Sequence, residues 1–228
     1  MAIIYHSDTT QGSDEWAALR CGCLTASEMK LIITPKTMSY ASNDKERTHL
    51  YELLAQRITG YVEPNYINDD MLRGMADEVD ARLLYAKNYA PVTEVGFITN
   101  DIWGFTIGYS PDGLVGEDGL IEVKSRRQKY QIETICSGEM PSEYMLQVQT
   151  GLLVTSRAWL DFITYSGGLP MMTIRVFPDP VTQQAIINAA SMFEGKLAVK
   201  LAEYQARLTY PDAKLIPTER KVEEEITV

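Results

Sequence analysis

Cysteine and histidine are scarce in this chain: among 228 residues there are three cysteines (Cys21, Cys23, Cys136) and two histidines (His6, His49). An odd cysteine count leaves a thiol over in any disulfide scheme, and Cys21 and Cys23 are too close for an easy intrachain bridge, so a reducing compartment is expected. So few sulfur and imidazole donors leave a Cys/His zinc site undersupplied. No apolar run approaches the length of a membrane span. The opening residues lack the basic flank and long apolar stretch of a secretory signal. There is no repeat, no low-complexity block and no Pro/Gly/Ser-rich linker between two halves. Basic charge is also short, with 21 Lys and Arg against 31 Asp and Glu, a formal net charge of −10. That disfavours a simple electrostatic nucleic-acid coat protein and still permits a local basic groove. What is present is an ordinary globular composition, 45% hydrophobic and 23% charged. One domain over residues 1–228 is expected, large enough to bury roughly 70% of its unfolded surface.

The first third reads as helical. Ser13 before Asp14 and Glu15 is a helix start, and Thr25-Ala-Ser-Glu28 is a capping-box pattern. Leu50, Leu53, Leu54 and Ile58 share a helical face that Gly60 ends. A helix opening near Asn68-Asp69-Asp70 would bury a stripe of Leu72, Met75, Val79, Leu83 and Ala86. The period then changes. Strands are expected over 93–99, 105–109 and 120–124, the last reached through the turn Gly116-Glu117-Asp118-Gly119. A helix over 142–153 with Met145, Val148 and Leu152 on one stripe follows. Strands over 159–165 and 171–176 come next, joined at Gly167-Gly168. A long helix starts near Pro180 and runs towards Leu208. The tail from about 211, ending in Glu223-Glu224-Glu225, is expected to be mobile. This order predicts an α/β (α+β) fold, a mixed central sheet flanked by helices.

The chemistry lies in Ser110-Pro-Asp112-Gly113 and Ile121-Glu122-Val123-Lys124. Strand alternation puts Ile121 and Val123 on one face and Glu122 and Lys124 on the other, with Cα atoms about 6.6 Å apart. Hairpin pairing would bring Asp112 beside Glu122. Two converging carboxylates repel unless a cation joins them, and a hard divalent ion such as Mg²⁺ suits oxygen donors. A nearby lysine can orient or deprotonate water attacking a phosphodiester, and a second ion would steady the leaving oxygen. This is the Asp…Glu-x-Lys arrangement of a large nuclease superfamily. Taken singly, Glu-x-Lys also marks the solvated face of an edge strand, and Asp-Gly a turn. The cluster Lys124, Arg126, Arg127 and Lys129 favours phosphate recognition, although an exposed helix start would explain it too.

Beyond that motif the chain resembles the phage lambda exonuclease family, the YqaJ-type viral recombinase nucleases. The likeness rests on Trp16-Ala-Ala-Leu19-Arg20 with Thr25-Ala-Ser-Glu28, Gly74 with Glu78, Ser110-Pro-Asp-Gly113 with Glu122-Val-Lys124, and Gln147-Val-Gln149. These blocks stand in family order from residue 16 to about 154. The chain departs from many relatives in carrying Ser125-Arg126 where they have Cys-Pro.

The resemblance implies a core of the PD-(D/E)xK, restriction-endonuclease-like type. It implies a Mg²⁺-dependent exonuclease digesting linear duplex DNA from 5′-phosphorylated ends, with two ions and Mn²⁺ as a substitute. Asp112 and Glu122 would bind metal with the Val123 carbonyl, Lys124 would act on the attacking water, and Glu78 would join the site. Arg20, Ser27 and Gln147 would hold the 5′-terminal phosphate, a fixed guanidinium fork with neutral donors. Read without the family, Ser27 is a helix cap and Arg20, Gln147 and Glu78 are surface groups. Arg126, Arg127 and Lys129 would line the DNA path. Met71 or Leu72 would wedge the terminal base pairs apart, or else belong to the core. A ring-shaped homotrimer, a single-strand annealing partner, activity rising at alkaline pH and a phage or prophage protein in the host cytoplasm are further implications. A related endonuclease or single-strand nuclease, or a non-catalytic DNA-binding protein, are the alternatives.

Overall fold

The structure is a computed structural model describing residues 2–64 and 69–220. Asn68 and the 223–225 acidic run of the sequence reading lie outside the described residues. Along the chain come β1 (Ile3–His6), α1 (Asp14–Arg20), β2 (Leu24–Thr25), a 3-10 turn (Ala26–Glu28) and α2 (Met29–Ile32). The hairpin β3 (Ile33–Thr34) and β4 (Ser39–Tyr40) leads to α3 (Asp44–Thr59) and α4 (Asp69–Asn88). Next are β5 (Phe97–Asn100), β6 (Ile107–Tyr109), β7 (Gly113–Val115), β8 (Gly119–Ser125) and α5 (Gln128–Ser137). A second 3-10 turn (Ser142–Tyr144) opens α6 (Met145–Thr155), then β9 (Trp159–Tyr165), β10 (Met172–Val176) and α7 (Pro180–Leu208).

Local chemistry sets these boundaries. The Ser13 side chain accepts from the Trp16 amide at the start of α1. Thr25 and Glu28 form the expected reciprocal capping box. Gly60 ends α3 at φ +64, a left-handed conformation that glycine adopts without strain. Asp179 accepts from the Val181 and Thr182 amides ahead of Pro180.

The strands form two mixed four-stranded sheets, β1-β5-β6-β2 and β10-β9-β8-β7, besides the β3–β4 hairpin. In the second sheet β8 runs parallel to β9 and antiparallel to β7. Helix α6 packs on strands of both sheets. It buries Leu146, Val148, Leu152 and Val154 around its circumference, as a central helix must. The structure is mixed α+β, as the element order predicts. β5 begins later than 93, because Thr93 pairs instead with Leu114 as an isolated bridge. Strands β1, β2, β7 and the β3–β4 hairpin, and helix α5, were not anticipated. After α7, residues 211–220 carry no regular element, although Arg220 packs 3.5 Å from the Tyr61 ring centroid.

Helix α4 overturns one expectation. Its stripe of Leu72, Met75, Val79, Leu83 and Ala86 faces solvent; Leu72 is 56% and Leu83 65% exposed. The buried face instead carries Ala81 and Tyr85, packed with Ile121 and Val123 of β8. The reason is polar demand. Along the inner side of α4, Asp77 accepts from the Ser125 hydroxyl at 2.5 Å and Tyr85 donates to Asp161 at 2.6 Å. Arg82 donates to the Asp112 carbonyl at 3.0 Å. Met71 is exposed along with Leu72, which removes the core alternative for both.

Candidate active site

The β7–β8 hairpin pairs Gly113 with Ile121, so Asp112 enters opposite Glu122. Ile121 and Val123 face α4, while Glu122 and Lys124 emerge together on the other face, as strand alternation requires. Asp112 Oδ2 accepts from the Val123 amide at 2.5 Å, and Lys124 Nζ donates to Glu122 Oε1 at 2.6 Å. Gln147, from the first turns of α6, donates to the same Glu122 oxygen at 2.5 Å. Tyr109 of β6 donates to Glu122 Oε2 at 2.7 Å. Asp112 and Glu122 are 9% and 2% exposed.

Glu78 reaches this group from α4. Arg82, one turn on, lies 3.3 Å from Glu78 Oε1 and 3.6 Å from Glu94 Oε2 while holding the Asp112 carbonyl. It ties the helix acid to the hairpin. Burial, then the charges of Glu122 and Glu78, push the Asp112 carboxyl well above the usual carboxylate range. Burial also raises Glu78, against the pull of Arg82 and with Glu122 adding to it. For Lys124, burial favours the neutral amine. The adjacent Glu122 and Asp112 charges outweigh it and hold the ammonium above the ordinary lysine range.

A site with this surplus of acidic charge suits a cation. Among the described residues, no three His, Cys, Asp or Glu side chains form a ready metal cage. Mg²⁺ does not ask for one, since it keeps several waters and is held through one or two carboxylates. Asp112, Glu122 and the Val123 carbonyl offer hard oxygen donors of that kind, so the donor set fits.

Arg20 forms a second cluster beside this one. Its guanidinium lies over Trp16, 4.4 Å from the ring centroid, and donates to Ser110 Oγ at 3.3 Å and Thr25 Oγ1 at 3.5 Å. Burial lowers its pKa, with Glu28 opposing. Thr25 Oγ1 is 3.3 Å from Ser27 Oγ, and Ser27 is exposed. Arg20 and Ser27 are therefore joined through Thr25. Gln147 bonds to Glu122, and its helix packs against the turn that carries Ser27.

The basic run beyond β8 divides. Arg126 is buried in the wall behind α5, its guanidinium pairing with Glu143 at 2.8 Å and Tyr144 Oη at 3.0 Å. Arg127 and Lys129 are exposed at the start of α5. Sequence reasoning missed Tyr109, Arg82, Ser110, Thr25 and Tyr144 as members of these clusters. Only Ser110 and Thr25 carried a signal, since both lie inside the quoted motifs.

A family model for the YqaJ-like viral recombinase domain matches residues 15–158. Among solved structures, the alkaline exonuclease LHK-Exo from Laribacter hongkongensis is 33% identical, with a TM-score of 0.76. That match covers 86% of this chain and 98% of that one. The same enzyme in complex with dAMP matches at 34% identity over the same shares, also with a TM-score of 0.76. A phage-related exonuclease from Haemophilus somnus 129PT is 14% identical, with a TM-score of 0.51 over 78% of this chain and 96% of that one, a likeness of fold alone. Among curated proteins, no sequence matches significantly. No helix among the described residues is long and apolar enough to cross a membrane. The core is of the PD-(D/E)xK nuclease type, and with more than half its length matched, the chain belongs to the YqaJ-like viral recombinase family.

Proposed function

We propose that this protein is a Mg²⁺-dependent exonuclease. It digests linear duplex DNA in the 5′-to-3′ direction from 5′-phosphorylated ends and releases 5′-mononucleotides. The remaining 3′ single strand feeds phage-type recombination. The observation that carries this reading is the meeting of Asp112, Glu122 and Lys124 at one hairpin in a chain of this family. The similar LHK-Exo has been captured with dAMP, a mononucleotide, which supports the class of product.

Asp112, Glu122 and the Val123 carbonyl would hold the ions, two of them, with Mn²⁺ as a substitute. When bound, these supply Lewis-acid stabilisation of the phosphate oxygens and a stronger nucleophile at neutral pH. Lys124, which donates to Glu122 and is held above the ordinary lysine range by the adjacent carboxylates, would orient the attacking water, the first of the two roles open to it from the sequence. Glu78, raised by burial, would accept a proton from the attacking water. Arg20, Ser27 and Gln147, with Ser110 and Thr25, hold the terminal phosphate. Arg127 and Lys129 meet the DNA backbone, and Met71 or Leu72 parts the end of the duplex. A ring-shaped homotrimer, a single-strand annealing partner and the bacterial host cytoplasm as the place of work complete the reading.

The test is digestion of end-labelled linear duplex, with and without 5′-phosphate, first in Mg²⁺ and then in chelator. Faster loss of the phosphorylated substrate, abolished by chelator, is the expected result. Equal rates or nicking of closed circles would favour an endonuclease. No released nucleotide would favour a DNA-binding protein without catalysis.

A further inference from the structure

A cleft of about 810 Å³ opens beside the catalytic lysine, between α5 and the 3-10 turn Ser142–Tyr144. Arg126, Arg127, Tyr130, Glu143 and Tyr144 are among the residues that line it. Its wall continues the catalytic row without a break. Lys124 Nζ lies 5.5 Å from the Tyr144 ring centroid, and the Tyr144 hydroxyl meets Arg126. The Arg126 guanidinium in turn lies 5.2 Å from the Tyr130 ring centroid, with Lys129 Nζ 4.7 Å from the same ring. At the other end of the row, beyond Asp112 and Glu122, stand Ser110, Arg20, Thr25 and Ser27.

A DNA strand with its 5′-phosphate at Arg20 and its scissile phosphate at the carboxylates would continue past Lys124. The next surface it meets is this cleft. Alternating tyrosines and cationic groups are what an unpaired nucleotide needs, because a base stacks on an aromatic or guanidinium plane whatever its sequence. Cationic groups collect here in a net-acidic chain: Arg126 and Arg127 line the cleft, and Lys129 stands beside the Tyr130 ring. Three acids share the lining, Glu133, Glu139 and Glu143, and Glu143 is committed to Arg126 at the rim, so the tyrosine faces rather than net charge mark the cleft.

We propose that this cleft is a subsite for the nucleotide immediately 3′ of the scissile phosphate, its base stacking on Tyr130 against Arg126 and Tyr144. The proposal rests on the exonuclease reading above and deepens it by giving the uncleaved remainder of the digested strand a path. Tyr130 is 42% exposed, so its replacement leaves the core intact.

The experiment is calorimetric titration of the protein with thymidine 3′,5′-bisphosphate and with 5′-phosphorylated dithymidylate. Both probes carry the terminal and scissile phosphates, and only the second carries the next nucleoside. Ca²⁺, with its laxer coordination, replaces Mg²⁺ to slow cleavage. Wild-type protein should bind the dinucleotide about tenfold more tightly than the bisphosphate, the gain of one stacked base. Tyr130→Ala should bring that ratio close to one with the bisphosphate affinity unchanged, and Tyr130→Phe should keep it. An unaltered ratio in Tyr130→Ala overturns the subsite while leaving the exonuclease reading in place. If wild-type protein binds neither probe and releases no nucleotide from duplex, the exonuclease reading fails and the subsite with it.

Discussion

Tyr109 of β6 donates its phenolic hydrogen to Glu122 Oε2 of β8 at 2.7 Å, and both side chains are buried. Burial, followed by the Glu122 and Asp112 charges, keeps the phenol protonated far into the alkaline range. Tyr109 is thus a permanent donor, fixing one oxygen of Glu122 while Lys124 and Gln147 engage the other. Tyr109→Phe leaves shape and packing almost unchanged and strips that oxygen of its partner. A bond to a buried carboxylate is worth roughly 1.5–3 kcal/mol, so the urea midpoint should fall. Nuclease turnover should fall about tenfold as the carboxylate loses its orientation. A variant with wild-type turnover would reduce Tyr109 to a packing residue.

Asp112→Asn addresses the crowding of acids. The amide can still accept from the Val123 amide, and it removes one of three carboxyl groups that raise one another's proton affinity. In chelator the variant should therefore unfold at the same urea concentration as wild type, or higher. Adding Mg²⁺ should stabilise wild type by mass action and leave the variant unmoved. Nuclease rate should drop by roughly a hundredfold or more, since metal stabilisation of the transferred charge is worth several kcal/mol. A normal Mg²⁺ shift in the variant would remove Asp112 from the metal set.

Arg20 is held as a fork, over Trp16 and between Ser110 and Thr25. Arg20→Lys keeps the charge and loses the planar pair of donors, so it is not a conservative change here. The rate advantage of 5′-phosphorylated over 5′-hydroxyl duplex should shrink by about tenfold or more, the cost of a charge-assisted bidentate contact. Competition between the two substrates in one tube measures it directly. A preserved advantage would place the phosphate elsewhere.

The hairpin was legible because strand alternation and a glycine-bounded turn leave few ways to fold residues 110–124, and both carboxylates follow from that geometry. Helix α4 was misread for an equally physical reason. Helical periodicity reports which residues are apolar and assumes that they point inward. Here Asp77, Arg82 and Tyr85 have partners on the sheet side, and those bonds turn the apolar stripe outward. Strand β1 escaped notice because four half-exposed edge residues carry no alternation to detect. Arg126 looked like an exposed cation on charge alone. Only the fold reveals Glu143 and Tyr144, 17 and 18 positions away, closing over it. Tyr109 illustrates the general limit, since nothing local distinguishes a core tyrosine from one that donates to a buried acid on the neighbouring sheet.

Cys23 provides a test of pH response independent of the metal site. Burial raises its thiol from the ordinary value of 9.0 to about 12, with the nearby Arg20 charge pulling the other way. A thiol whose folded pKa exceeds its unfolded one adds stability that is intact below pH 9 and fades as pH climbs towards 12, because the unfolded chain loses its proton first. The urea midpoint of wild-type protein should accordingly decline between pH 8 and pH 10.5 more steeply than that of Cys23→Ala. Comparing the two slopes, not the absolute midpoints, removes the packing cost of the missing sulfur. Iodoacetamide at pH 8 should give the same account by a second route, modifying the exposed Cys136 well before Cys23, since only the thiolate reacts. Parallel slopes together with early labelling of Cys23 would mean that the thiol is not protected by its surroundings.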